Sequence, residues 1–329
     1  MSATSSPAAE TAGPAPRRYE PALVSVALML MVALPFLPVG QYGIHLAVLA
    51  MVYAIGAGGL TGLMGYCGQY SLAQGAFLGV GAYTAAALTT KLGLPGYATL
   101  PFSISVAALC GILLGIPSLR LSGHFLAITT IAFQVIASLI FSQWYTVTNG
   151  QIGIDNIPGM LPAAILDRVQ PQVAHYYLVL VLCVLAIWLV RQLLSSRLGR
   201  VWLSIQGDEL LAKSLGLNTT RAKLTAFALS AGYGGAAGAL LAQYMGNTHP
   251  AEFTLFTSIT LLAMVLIGGR RSVYGAPLGA AILTLMPELL RSSDELRLII
   301  YGLMIIIVCK FAPFGLLGGA IARRSQSRT

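Results

Sequence analysis

Residues Gly207 to Ser214 read GDELLAKS, one position short of the G-x-x-x-x-G-K-[ST] loop that cradles nucleotide phosphates. That chemistry needs glycines between a buried strand and a helix, so that free backbone N–H groups converge on phosphate oxygens. Here Asp208, Glu209, Leu210 and Leu211 fill the middle, and Ala212 stands where the second glycine belongs. Two carboxylates would meet the phosphates with like charge. The stretch is expected instead to be a short helix. Asp208 is a favoured N-cap, Glu209 suits the positive helix end, Leu210 to Lys213 are strong helix formers, and Gly216 sits where a helix stops. Leu210, Leu211, Leu215 and Leu217 give it an apolar side. Such a side needs either a partner chain or the bilayer surface, and composition does not choose between them.

Other chemistry is sparse. The four cysteines and four histidines are dispersed, with no C-x-x-C, H-x-x-x-H or H-E-x-x-H, so neither a metal site nor a disulfide framework is expected. Gln69, Ser71 and Gln74 precede a stripe of Gly75, Gly79 and Tyr83 at helical spacing. These residues either line a pathway near one membrane face or bond neighbouring backbone in a tightly packed helix contact. Glu288 and Arg291 are three apart and can pair near a membrane surface. The apolar segments hold no clear acid or base for proton or sodium coupling, so energy for transport would have to come from another chain.

The elements that must position these groups are membrane spans. Of 329 residues 57% are hydrophobic and 9% charged, with a mean hydropathy of +0.80, against about 25% charged in ordinary globular chains. Ten apolar segments approach the roughly 20 residues that cross a bilayer, from Ala22–Val39 to Leu296–Phe311. The expected fold is an all-α integral membrane protein, a polytopic bundle of about ten transmembrane helices, with eight to ten as the range. The third segment, Tyr70–Thr90, follows a glycine-rich join that can be broken. Leu255–Gly269 and Gly275–Leu290 are short.

Fifteen of the 19 lysines and arginines fall on one side of this ten-span plan and four on the other. The positive-inside rule then places both the N- and C-termini in the cytoplasm. The net charge of +9 is accounted for by these anchors and anionic lipid, with no nucleic acid. The expected organisation is a disordered tail over 1–21, a transmembrane domain over 22–313 and a C-terminal tail over 314–329. The longest inner loop is 195–222. An outer loop over 145–174, with TNGQIGIDNIPGMLP, reads as a solvated turn or a contact for another protein.

Three blocks carry a family likeness: GLTGLMGYCGQYSLAQGAFLGVGAYTAAAL, SRLGRVWLSIQGDELLAKSLGLNTTRAKLTAFALSAGYGGAAGAL and LLAMVLIGGRRSVYGAPLGAAILTLMPELLR. With LRLSGHFLAITTIAF and APFGLLG, they resemble the permease subunits of ABC importers for branched-chain amino acids, of the LivM type. The resemblance covers most of the chain after Tyr42. It implies a bacterial inner-membrane, multi-pass subunit without catalysis or cofactor, paired with a second homologous permease. Two cytoplasmic ATPases and a periplasmic substrate-binding protein would complete the importer. Asp208, Glu209, Leu211, Ala212, Leu215 and Gly216 match the family's short cytoplasmic helix, which fits a cleft in the ATPase. The implied substrate is a branched-chain or other hydrophobic amino acid, with urea, short amides or aromatic acids as alternatives. A stand-alone secondary transporter is the competing class. Two departures stand out. Relatives commonly show I-R-E-x-E where this chain has Ile205, Gln206, Gly207, Asp208 and Glu209, and G-G-x-G-S where it has Gly268, Gly269, Arg270, Arg271 and Ser272.

Overall fold

The computed structural model describes residues 20–36, 40–119, 121, 123–161 and 170–289. The chain divides into two units at Gly40. In the first, α1 spans Glu20–Ala33 and runs into a 3₁₀ turn at Leu34–Phe36. The second holds the helical bundle. The tenth candidate span and the C-terminal tail lie outside the described residues.

The bundle begins with α2 (Gly40–Leu60), which ends in a π-helical turn over Thr61–Tyr66. After a non-helical stretch the chain forms α3 (Gln74–Thr90). Next come α4 (Gly96–Ser118), α5 (His124–Gln143) and the single turn α6 (Tyr145–Thr148). Then follow α7 (Pro171–Ser195), α8 (Arg197–Gly207), α9 (Glu209–Ser214) and α10 (Thr219–Met245). The series closes with α11 (Leu255–Gly268) and α12 (Gly275–Leu289). Among the described residues the only extended pairing is an isolated antiparallel bridge between Ile154 and Thr248.

Among the described residues six helical segments are long and apolar enough to cross a membrane. They are the segment of α2 with its π turn, α4, α5, α7, α10, and α11 with the 3₁₀ turn before it. The α10 and α2 windows are 67% and 61% buried, against 33% or less for α4, α5 and α7. The first two therefore form the core, and the other three turn apolar faces outward, as helices solvated by lipid can. The expected third span starts later than its hydropathy suggested, at Gln74, and the join before it is broken. A helix needs acceptors for its first amides, and side chains of α5 and α11 supply them here: Gln134 Oε1 accepts from the Ala76 amide and Ser258 Oγ from the Gly75 amide.

Small residues set the spacing around α10, which packs chiefly on α3 and α4. A Cβ at Gly238 would collide with the Leu78 carbonyl, one at Gly81 with Gly235, and one at Gly111 with the Phe227 carbonyl. Backbones in contact gain dispersion where no hydrophobic force drives helices together.

Candidate coupling surface and buried polar layer

The hydrophilic segment between α7 and α10 folds into two helices instead of one. Ser196 caps α8, accepting from the Leu198 amide at 3.2 Å. One face of α8 carries Trp202 and Ile205 inward, at 1% and 5% exposure, while Arg197 and Arg200 face out. The Trp202 indole donates to the Ala222 carbonyl at 2.8 Å, which ties α8 to the first turn of α10. Asp208 ends α8 and caps α9: its Oδ1 accepts from the amides of Leu210 and Leu211 at 2.8 and 3.0 Å. Gly216 closes α9 in the left-handed region at φ +81°, where a Cβ would be strained.

Around α9 the side chains divide. Leu210, Leu211 and Leu215 are 77%, 58% and 71% exposed. Ala212 points inward at 1% exposure, so it seats the helix and is no part of its outer surface. Glu209 is also engaged within the chain. Its Oε2 accepts from Lys223 Nζ at 2.6 Å and its Oε1 pairs with Lys213 at 3.0 Å. Lys223 is buried near the start of α10, with 3% of its side chain exposed. Partial burial pushes the Glu209 carboxyl upward, but the hydrogen bonds and charges of Lys223 and Lys213 outweigh it and hold the group below the usual carboxylate range. Glu209 therefore fastens α9 to α10 and does not present a free charge.

Beside α8, two turns meet. Gly68, at φ +71°, lies against Gln206, and Arg271 Nη2 donates to Gln206 Oε1 at 3.3 Å. Arg270 Nη1 donates to the Tyr70 hydroxyl at 3.2 Å, and the Tyr66 hydroxyl donates to the Arg271 carbonyl at 3.4 Å. The two positions where the chain departs from the LivM-like pattern thus touch. Where the pattern places an arginine on one segment and a glycine on the other, here the cation sits on the second. Arg271 needs no left-handed backbone, so the side chain is accommodated without strain.

Farther along α10 lies a buried polar layer. Gln74 Nε2 donates to the carbonyls of Gly56 and Ser230 at 2.8 and 3.0 Å, while its Oε1 accepts from Ser230 Oγ at 3.1 Å. Gln134 Oε1 accepts from the Ala76 amide at 2.6 Å and from Ser258 Oγ at 2.8 Å, and its Nε2 donates to the Phe253 carbonyl at 2.8 Å. Ser258 Oγ in turn accepts from the Gly75 amide at 2.8 Å. Ser71 Oγ accepts from the Ala73 amide at 3.3 Å. Gln74 and Ser71 thus bond neighbouring backbone, the alternative to a lining role. Gln69 and Tyr83 differ: Gln69 Oε1 and the Tyr83 hydroxyl are buried without a partner.

Residues 43–309 match the family described as "Branched-chain amino acid transport system / permease component". The chain belongs to this family. The permease is 35% identical to the high-affinity branched-chain amino acid transport system permease protein LivM of Escherichia coli K12, over 88% of this chain and 73% of that protein. Identity to LivM of Salmonella typhimurium is 34% with the same coverage. It is also 24% identical to the probable permease LivH of Methanocaldococcus jannaschii, over 75% of this chain and 82% of that protein. No solved structure matches the chain. Membership makes the chain a membrane transport permease, in keeping with its apolar helices.

Within the permease, Asp208 to Gly216 are gathered on one short helix, while Gln69, Ser71, Gln74 and Tyr83 are spread along α3 and the break before it. Sequence reasoning passed over Lys223, Gln134 and Ser258. Lys223 had looked like one more basic anchor, and only its burial beside Glu209 distinguishes it. Gln134 carried a weak signal, as an amide in the middle of an apolar run.

Proposed function

We propose that this permease is the membrane subunit of an ATP-binding-cassette importer in the bacterial inner membrane, with the α9 end in the cytoplasm. It pairs there with a second, homologous permease above two ATPases, and a periplasmic binding protein delivers the substrate. The carrying observation is the capped helix α9, which exposes Leu210, Leu211 and Leu215 yet is pinned to α10 through the Glu209–Lys223 pair. Exposed leucines on a rigid helix suit an apolar cleft on another chain, and the pin lets motion of that chain reach the bundle. The likeness to both LivM and LivH proteins supports a pair of related permeases. The names of these relatives favour branched-chain or other hydrophobic amino acids as the substrate.

The test is reconstitution with the candidate partners in proteoliposomes. Leucine uptake is expected to require ATP and every partner; uptake by this chain alone overturns the importer reading. Replacing both Leu210 and Leu211 with Glu is expected to cut ATPase co-purification at least tenfold without changing membrane insertion. Unaltered ATPase recovery would remove α9 as the docking element.

A further inference from the structure

Helix α7 carries one outward stripe at helical spacing: Val181, Val184, Leu185 and Trp188 are all exposed. The stripe ends one turn later at Arg191, which is exposed as well. Lipid tails suit the apolar residues. Trp188, 55% exposed, is of the type that gathers where tails give way to headgroups, and Arg191 stands just beyond it. Past the Ser196 cap, α8 opens with Arg197 and turns Arg200 outward one turn on. Arg200 Nη1 donates back to the Ser195 carbonyl at 3.1 Å, and Ser195 lies one turn from Arg191 on the same face of α7. Three guanidinium groups are thus gathered about the last turn of α7 and the first of α8. Arg191 Nη1 donates to the Tyr274 hydroxyl at 3.1 Å. Among the described residues the ion pairs belong to Lys213, Lys223 and His249, so none of the three arginines meets a carboxylate.

The seam behind this stripe is loose. Where α7 crosses α2, a Cβ at Gly58 or Gly62 would meet nothing nearer than 3.6 Å, and narrow apolar crevices remain beside Val190 and Tyr233. The α3–α10 contact is the opposite case, since a Cβ at Gly238 would strike backbone. The seating of α7 therefore depends on what covers it from outside.

We infer that the α7–α8 corner binds the headgroup of an anionic phospholipid. The Arg191, Arg197 and Arg200 guanidinium groups take its phosphate, and its acyl chains lie along Val184, Leu185 and Trp188. Guanidinium forks match phosphate oxygens with paired hydrogen bonds, and basic clusters at headgroup depth are where such lipids are recognised. An acidic segment of a water-soluble partner fits less well, because the Arg191 stripe continues into the apolar face of a span that only lipid or another membrane chain can cover. The lipid clamps the corner and so fixes α8, whose Trp202 indole holds the Ala222 carbonyl and whose end at Asp208 caps α9.

The experiment places the full-length chain in nanodiscs of phosphatidylcholine, alone or with a minor share of phosphatidylglycerol. Phosphatidylglycerol is expected to raise the melting temperature by several degrees, and native mass spectrometry should find it retained on the chain in preference to phosphatidylcholine. R191Q/R197Q/R200Q should lose both effects, and R191K/R197K/R200K should keep part of the shift. R221Q/R270Q/R271Q removes the same charge from elsewhere on that end of the bundle and should leave the shift whole. Equal loss in the two glutamine triples would reduce the effect to diffuse attraction and overturn the site, as would a wild type that the anionic lipid does not stabilise. Inorganic phosphate that stabilises the chain as much in phosphatidylcholine, at matched ionic strength, would show an ion site without lipid and overturn it too. Loss of the retained lipid on adding the homologous permease would assign the corner to that chain and overturn it equally. Where the first triple cannot be purified, R197Q alone is read in its place: a smaller shift supports the site and an unchanged one overturns it.

Discussion

Lys223 is the residue that makes α9 part of the bundle. A buried ammonium is tolerated only when paired, and Glu209 at 2.6 Å supplies the pairing. E209Q is therefore expected to lower the unfolding free energy by about 1–3 kcal/mol, read as a drop in melting temperature in detergent. K223M in the E209Q background should recover most of the loss, since an apolar replacement for a buried pair is often neutral or better. The sign of the pH dependence follows from the depressed Glu209 carboxyl. Because its folded value lies below the ordinary 4.5, its stabilisation is fully present above that pH. It disappears as pH falls through the folded value. The wild-type melting temperature should therefore fall more steeply below about pH 4.5 than that of E209Q. Superimposable pH profiles would show that the pair contributes nothing. At this scale the cap at Asp208 was legible because capping is decided within three residues. The partner of Glu209 was not, since Lys223 lies fourteen positions on and is brought back by the fold.

At the scale of elements, α8 and α9 turn a hydrophilic loop into a compact unit. The sequence already indicated α9, through its cap and its stop at Gly216. It hid α8, whose Trp202 and Ile205 stand among arginines and other polar residues and become an inward face only once wound into a helix. The same reasoning applies to glycine. Many glycines are scattered through the apolar segments, and pattern alone singled out Gly75 and Gly79 as contact points. Gly238 stands out because the Leu78 backbone occupies the place of its missing side chain. G238V must push α3 and α10 apart, at a cost of at least about 2 kcal/mol, and should depress both yield and melting temperature. Gly207, with nothing within 4 Å of a built Cβ, is the control: G207A should melt like the wild type. Equal melting of the two variants would mean that α10 is not held by close backbone contact. The meeting of Gln206 and Arg271 belongs to this scale too, because the two departures are 65 residues apart in the chain and look unrelated until α8 and the α11–α12 turn are placed together.

For the whole molecule, Gln134 does what a hydrophobic core does in water. It joins the start of α3, the middle of α5 and the segment entering α11 through three hydrogen bonds of 2.6–2.8 Å. Within lipid no water competes for these groups, and the unfolded chain in the bilayer finds substitutes, so each bond is worth less than its isolation suggests. Q134L strands the Ala76 amide and the Ser258 hydroxyl proton, while the Phe253 carbonyl keeps Ser138 Oγ at 3.0 Å, and should destabilise the bundle by about 2–4 kcal/mol in total. Thermal unfolding of the purified permease measures this. A change below 1 kcal/mol would mean that water or another side chain replaces the amide.

The solvent was decided by sequence alone, since 57% hydrophobic residues in long runs admit only helices buried in lipid, where each backbone group is satisfied within its own segment. Local rules also sufficed for the short helix in GDELLAKS and against a phosphate loop, because caps, charges and missing glycines act over a few residues. Tertiary structure decided which helices are central, that α3 begins only at Gln74, and that its first amides are met by Gln134 and Ser258. It also decided that Glu209 turns inward to Lys223 while the Tyr83 hydroxyl is buried without a partner. These are meetings between residues far apart in the chain. Hydropathy reports how much each segment prefers lipid, and not which polar atom of one helix finds its partner on another.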